Sequence, residues 1–170
     1  MLAVCDGEGR NGVWLARQGF AVTSVDISAR GLEKARALAD RHGVELALVR
    51  ADLRGWDWPS AAFDGVVAIF AHFPREVRPL LHRRMLEALV PGGILLIEAY
   101  SPYQHLYRTG GPQDLDMLVS AFRLQQDLAG AEILELAEVE TELAEGQGHR
   151  GRSAVVRCIA RRPPDPLTRS

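Results

Sequence analysis

Three glycines and two carboxylates near the start of the chain carry the clearest chemistry. Gly7, Gly9 and Gly12 fall in a G-x-G-x-x-G spacing, with Asp6 just before them and Asp26 beyond. The apolar run Leu2-Ala3-Val4-Cys5 leads into the glycines and a helical pattern follows, so they stand at a strand-to-helix turn. A turn of this kind holds a nucleoside. Glycine lets the backbone approach a ligand, the helix N-terminus offers N–H groups, and a carboxylate at the next strand tip accepts from ribose hydroxyls. Asp26 ends the strand pattern at 20–25 and suits that last role, and it equally suits a helix N-cap near Ser28. The glycines have a second reading as well, in which they only let helix and strand pack closely.

Other reactive residues gather at the ends of later strand patterns. Asp52, followed by Leu53, ends the pattern at 45–50 and either meets a ligand or simply turns the chain. Ile69 and Phe70 close the apolar run at 65–70, where an open α/β sheet binds ligands, and His72 follows. That histidine could orient or deprotonate a substrate, or sit as a hydrogen-bonded loop residue. Glu98 and Tyr100 end the next run and are expected to face the same crevice. His149, Arg150 and Arg152 lie between the last two strand patterns, as a cationic pocket for an oxyanion or acidic substrate or as a solvated tip. Arg75, Arg78, Arg83 and Arg84 share one helical pattern and read as its solvated face.

The elements that must position these groups alternate through the first two thirds of the chain. Helices are expected over 11–18, ended by Gly19, and from Ser28 to Gly43, with Leu32, Ala35, Leu38 and Ala39 on one face. Pro74 suits the first turn of a helix running to 89, and Pro91-Gly92-Gly93 is expected to stop the chain before a buried strand at 94–100. The i, i+3, i+4, i+7 spacing of Leu115, Leu118, Val119 and Phe122 predicts a helix over 114–124. Two strand patterns at 133–143 and 153–161 have no helix between them and must pair antiparallel. The expected fold is therefore a doubly wound, Rossmann-like α/β sheet. It has seven strands, five parallel plus a C-terminal antiparallel hairpin, with helices on both faces. Residues 1–162 form one domain and 163–170 a disordered, proline-containing tail.

Composition narrows the partners. With 170 residues and 47% hydrophobic content the chain supports one core. A net charge of −2 gives no electrostatic case for nucleic acid or an anionic membrane, and no apolar run is long enough to span a bilayer. No signal peptide is apparent. Cys5 and Cys158 are far apart and lack metal-ligand spacing, so they read as thiols in a reducing cytoplasm with no metal. Nearly all the basic residues are arginine, with Lys34 the single lysine.

In order along the chain, Asp6-Gly7-Glu8-Gly9, Val25-Asp26-Ile27-Ser28, Ala51-Asp52-Leu53, Phe63-Asp64-Gly65-Val66-Val67 and Pro91-Gly92-Gly93 resemble the motifs of class I S-adenosylmethionine-dependent methyltransferases. Within that family, Gly-Glu-Gly-Arg-Asn at 7–11, Ile69 to Pro74, Glu98-Ala99-Tyr100 and the stretch 145–151 are similar to the tellurite-resistance type. The resemblance implies S-adenosylmethionine as cofactor, bound by Asp6, Gly7, Gly9, Asn11, Asp26, Ile27, Asp52, Leu53, Ile69 and Phe70. It implies in-line methyl transfer to a small molecule (a chalcogen oxyanion, a thiol or another heteroatom nucleophile), with His72, His149 and Arg152 at the reacting end. A monomer or homodimer is expected, without nucleic acid or membrane partners. Two departures stand out: Ala3 and Cys5 occupy the positions where the family's first motif has its acid and first glycine, and the helical segment that relatives carry before the first strand is not seen. An NAD(P)-dependent oxidoreductase and a non-catalytic S-adenosylmethionine-binding protein are the competing readings. The first is opposed by the absence of a substrate domain and of a Tyr-x-x-x-Lys pair.

Overall fold

A computed structural model describes residues 1–107, 109–144 and 150–164. The strands are β1 (Leu2–Val4), β2 (Thr23–Asp26), β3 (Ala47–Arg50), β4 (Phe63–Ile69), β5 (Leu89–Tyr100), β6 (Glu132–Ala144) and β7 (Arg150–Arg161). The α-helices are α1 (Arg10–Arg17), α2 (Ala29–His42), α3 (Arg78–Ala88) and α4 (Ala121–Asp127). One seven-stranded sheet runs in the order β3-β2-β1-β4-β5-β7-β6. Strands β1 to β5 are parallel, and β7 lies antiparallel between β5 and β6. The expected doubly wound sheet closed by an antiparallel hairpin is the observed fold.

Alternation along the strands sorts residues to two faces. Leu2, Val4, Val25, Val66, Ala68, Leu95 and Ile97 join Leu81 and Met85 of α3 and Leu124 and Leu128 of α4 in the main core. On the opposite face Ala3, Val22 and Val67 pack with Leu15 of α1. Strands buried this way read as nearly continuous apolar runs, which is why 65–70 and 94–100 stood out. No helix links β3 to β4. There Trp56 and Trp58 lie 4.8 Å apart, centroid to centroid, both rings pack against the main core, and Trp58 Nε1 donates to the Leu53 carbonyl at 2.9 Å.

Three expectations are corrected. Pro91-Gly92-Gly93 does not end an element, because β5 passes through it. Phe63 pairs with Leu89 and Gly65 with Ile94, so the Pro-Gly-Gly segment is an excursion within the strand, with Gly92 at φ 82°. The helix expected over 114–124 is broken into a 3₁₀ turn, Leu115–Met117, and α4. Asp114 and Ser120 each accept a capping hydrogen bond, and the Val119 N–H donates to the Tyr100 carbonyl, so the backbone is committed elsewhere. Leu118 and Val119 are buried, whereas Leu115 and Phe122 are exposed. Third, Arg78 is no surface residue, being 5% exposed. Its Nε donates to Asp127 Oδ2 at 2.6 Å, and His82 Nδ1 lies 3.1 Å from the same oxygen. Arg75, Arg83 and Arg84 are exposed as expected.

Candidate functional site

Chain order reverses between β1 and β4, so the crevice at their carboxyl ends is the switch point of the sheet. Backbone strain marks the same place. Cys5, just after β1, has φ 52°, and Phe70, just after β4, has φ 53°. Side chains rarely adopt this region, and residues held in it gather at functional sites.

The glycine turn is locked from three sides. Asp6 is buried, and both its oxygens lie 3.2 Å from the Gly12 N–H while Oδ2 accepts from Ser24 Oγ at 2.7 Å. Burial pushes its carboxyl above the usual range, the nearby Asp26 adds to that, and the bonds from Ser24, Gly12 and Asn11 oppose it. A Cβ on Gly12 would strike Asp6 Oδ2, and one on Gly9 would come within 2.6 Å of Ala35 Cβ on α2. These two glycines therefore serve packing. Gly7, at φ 56°, has no neighbour within 4 Å of a built Cβ and faces open space. The packing reading of the G-x-G-x-x-G spacing thus holds at Gly9 and Gly12, while Gly7 leaves open space beside its backbone. Glu8 also pairs with Lys34 of α2 across the surface.

Asp26 sits where β2 ends. Its Oδ2 accepts from the Gly7 N–H at 2.9 Å and its Oδ1 from the Ser28 N–H at 2.8 Å. Each oxygen keeps a lone pair for a further donor. The N-cap itself is Ser28, whose Oγ accepts from the Gly31 N–H at 3.0 Å. Asp26 thus organises the turn without serving as the cap.

A cavity of about 300 Å³ opens beside these groups, lined by Cys5, Asp26, Ile27, Ala51, Asp52, Leu53, Arg54, Phe73, Pro74, Val77 and Leu81. Ile27 is 61% exposed, a large apolar side chain left bare at the rim. Asp52 meets Arg54 in a two-pronged pair, with Nη2 to Oδ2 at 2.6 Å and Nε to Oδ1 at 3.0 Å. The Arg54 hydrogen bonds hold the Asp52 carboxyl down at about 2. The chemistry of this lining fits an adenosyl group: a carboxylate with spare acceptors for a diol, apolar walls for a flat base, and a second carboxylate beyond.

Of the residues expected to bind a cofactor, Asp26, Ile27, Asp52 and Leu53 share this cavity. Asp6, Gly9 and Asn11 brace the turn, and Gly7 borders it. Phe70 instead packs with Tyr100 and Leu143. Its ring, that of His72 and that of the fully buried Tyr100 form a stack, with 5.5 Å and an 8° interplanar angle between His72 and Tyr100. Ile69 is half-buried at the end of β4. Glu98 is not among the residues lining the cavity, and it accepts from Arg157 Nε at 2.8 Å across neighbouring strands. Arg152 pairs with Glu140 and stands 5.4 Å from the Tyr107 ring centroid. His149 lies outside the described residues.

Sequence reasoning missed the wall made by Phe73, Pro74, Val77 and Leu81. Its signal was present in the apolar i, i+4 pair Val77 and Leu81 directly after the Phe-Pro step.

A model of the methyltransferase domain matches residues 1–93. No curated protein matches the chain. Among solved structures, an S-adenosylmethionine-dependent methyltransferase from Methanosarcina mazei superposes with a TM-score of 0.80 at 18% identity, covering 96% of this chain and 92% of that one. A structure from work on the conversion of a disulfide bond into a thioacetal group during echinomycin biosynthesis gives 0.78 at 21% identity, over 98% and 76%. TehB from Haemophilus influenzae gives 0.73 at 22% identity. There the match covers 94% of this chain but 57% of TehB. These three likenesses are likenesses of fold. Among the described residues no helix is long and apolar enough to cross a membrane.

Proposed function

The chain belongs to the methyltransferase-domain family, and from that membership we propose that it methylates a small heteroatom nucleophile such as a chalcogen oxyanion or a thiol. It is an S-adenosylmethionine-dependent methyltransferase. When bound, the cofactor supplies a sulfonium methyl group open to in-line displacement, so the protein's task is orientation and exclusion of water.

In this reading Asp26 accepts from the ribose hydroxyls, Asp52 and Leu53 meet the adenine, and Ile27 and Phe73 give it apolar faces. Asp6 acts one step back, as a positioning residue that fixes the turn through Gly12 and Ser24. His72 and Arg152, with His149, are assigned to the acceptor side. There Arg152 must exchange Glu140 for the substrate if it is to hold an oxyanion. A soft nucleophile needs little help from a general base. The tellurite-resistance-type motifs and the fold likeness to TehB support a chalcogen acceptor, and the net charge of −2 argues against nucleic acid. Two free thiols suit a reducing cytoplasm, and the working unit is a monomer or homodimer.

The single observation behind the cofactor assignment is the cavity whose floor carries the Asp26 carboxylate with unused acceptor capacity. Calorimetric titration with S-adenosylmethionine, S-adenosylhomocysteine and NAD+ side by side tests it. Binding of the adenosyl compounds and none of NAD+ supports the reading and opens an acceptor screen with tellurite, selenite and small thiols. Binding of NAD+ alone overturns it. A non-catalytic binder would take the cofactor and turn over no acceptor.

A further inference from the structure

Cys5 lines the cavity in a backbone conformation that favours glycine, at φ 52°. Its side chain is half-buried and packs against the main core on one side, while the cavity lies on the other. Burial, and then the Asp26 and Asp52 carboxylates, push the thiol up to about 12. It stays a neutral thiol at ordinary pH, neither a nucleophile nor a metal ligand. What remains is its volume. At about 300 Å³ the cavity is at the small end of ligand pockets, so one added side chain in its lining matters.

We infer that Cys5 limits the cofactor affinity of this pocket: its side chain narrows the cavity and limits how closely an adenosyl group seats. The role is steric, and it rests on the reading of the cavity as the cofactor's seat. Backbone strain at Cys5 is shared by the free and bound protein, so removing it alters stability. Removing the bulk alters affinity.

The other cysteine provides an internal reference. Cys158 is 1% exposed on β7, outside the cavity lining. Its alkylation therefore reports opening of the whole fold.

The test uses the full chain and S-adenosylhomocysteine. Calorimetry is run on the wild type, Cys5→Gly and Cys5→Ala, with Cys158 labelling confirming that each variant is folded. The expected result is about tenfold tighter binding by Cys5→Gly, the scale on which a close-fitting pocket reads a few heavy atoms, with Cys5→Ala between the two. Unchanged or weaker binding by Cys5→Gly overturns the inference and leaves the cofactor reading intact. Absence of binding in all three proteins overturns the cofactor reading and this inference with it.

Discussion

The two sides of the crevice are built in opposite ways. On the β1–β2–β3 side, Asp26 is held by the Gly7 and Ser28 N–H groups and keeps acceptor capacity facing a cavity, with Asp52 beyond it paired to Arg54. On the β5–β7–β6 side, charged side chains satisfy one another: Arg152 with Glu140, Arg157 with Glu98. Buried Gln104 is used up there as well, donating to Thr109 and Gly110 and accepting from Ala154. A side that keeps spare hydrogen-bonding capacity beside open space is poised for a ligand. The other must break an internal contact before it can take one.

Helix α3 touches both regimes, since Val77 just before it and Leu81 within it wall the cavity while Arg78 and His82 bind Asp127 of α4. Asp127→Ala is therefore expected to have the largest effect. It leaves a buried guanidinium uncompensated, at a cost of about 3–5 kcal/mol measured by urea unfolding. A loss under about 1 kcal/mol would remove this triad as the anchor of the cavity wall. The pH dependence has a definite sign. Burial alone would raise the Asp127 carboxyl, but the hydrogen bonds and charges of His82 and Arg78 outweigh it and hold it below its ordinary value. The stabilisation is thus complete above the unfolded value of about 4 and is lost as pH falls through the folded one. The gap between wild type and Asp127→Asn should narrow below that point in parallel urea melts.

Asp26→Ala comes next and strikes the open side alone. Loss of charge-assisted acceptors for the ribose, together with the unpaired Gly7 and Ser28 N–H groups, is expected to cost about 3 kcal/mol of binding, on the order of a hundredfold in Kd. Calorimetry with S-adenosylhomocysteine measures it. Affinity within about twofold of wild type would end the ribose assignment.

What could be read from sequence separates along the same divide. The Ser28 cap is a local feature, decided by Gly31 three residues on, and the glycine turn and the strand end at Asp26 also stand where they were expected. Element order followed from alternating apolar runs bounded by Gly and Pro. Arg78 was misread because its partner lies 49 residues further on, so no helical periodicity could distinguish it from Arg75. The 114–124 helix failed because the Tyr100 carbonyl, brought near only by the fold, takes the Val119 N–H. Glu98 was misplaced for a similar reason, as its register against Arg157 exists only once the hairpin forms. Side-chain pairing across distant strands is what one sequence hides, and the acceptor side consists largely of it.

Asp6→Ala probes the bracing beneath the open side and is expected to cost about 1–3 kcal/mol, because the Ser24 hydroxyl and Gly12 N–H are left buried without their acceptor. Asp6→Asn keeps an acceptor and removes a carboxyl whose ionisation burial already disfavours, so it should unfold close to wild type at neutral pH. A large loss for Asn as well would mean that the charge itself is needed.

Arg152→Ala carries the smallest effect and the sharpest test of the closed side. The pair with Glu140 is exposed, so neither the urea midpoint nor cofactor affinity should move. Tyr107 offers a more sensitive readout. Its phenol is raised first by its hydrogen bond with Glu140, then by burial and the Glu140 charge, with Arg152 opposing. Removing Arg152 takes away the opposing cation, so ultraviolet titration should show Tyr107 ionising at still higher pH, whereas Glu140→Gln should bring it back toward the ordinary tyrosine range. If Arg152→Ala and Glu140→Gln both leave the titration unchanged, the three groups do not form a cluster in solution. The guanidinium is then available to an oxyanion without displacing Glu140, and the contrast between the two sides of the crevice weakens at the point where an acceptor would enter.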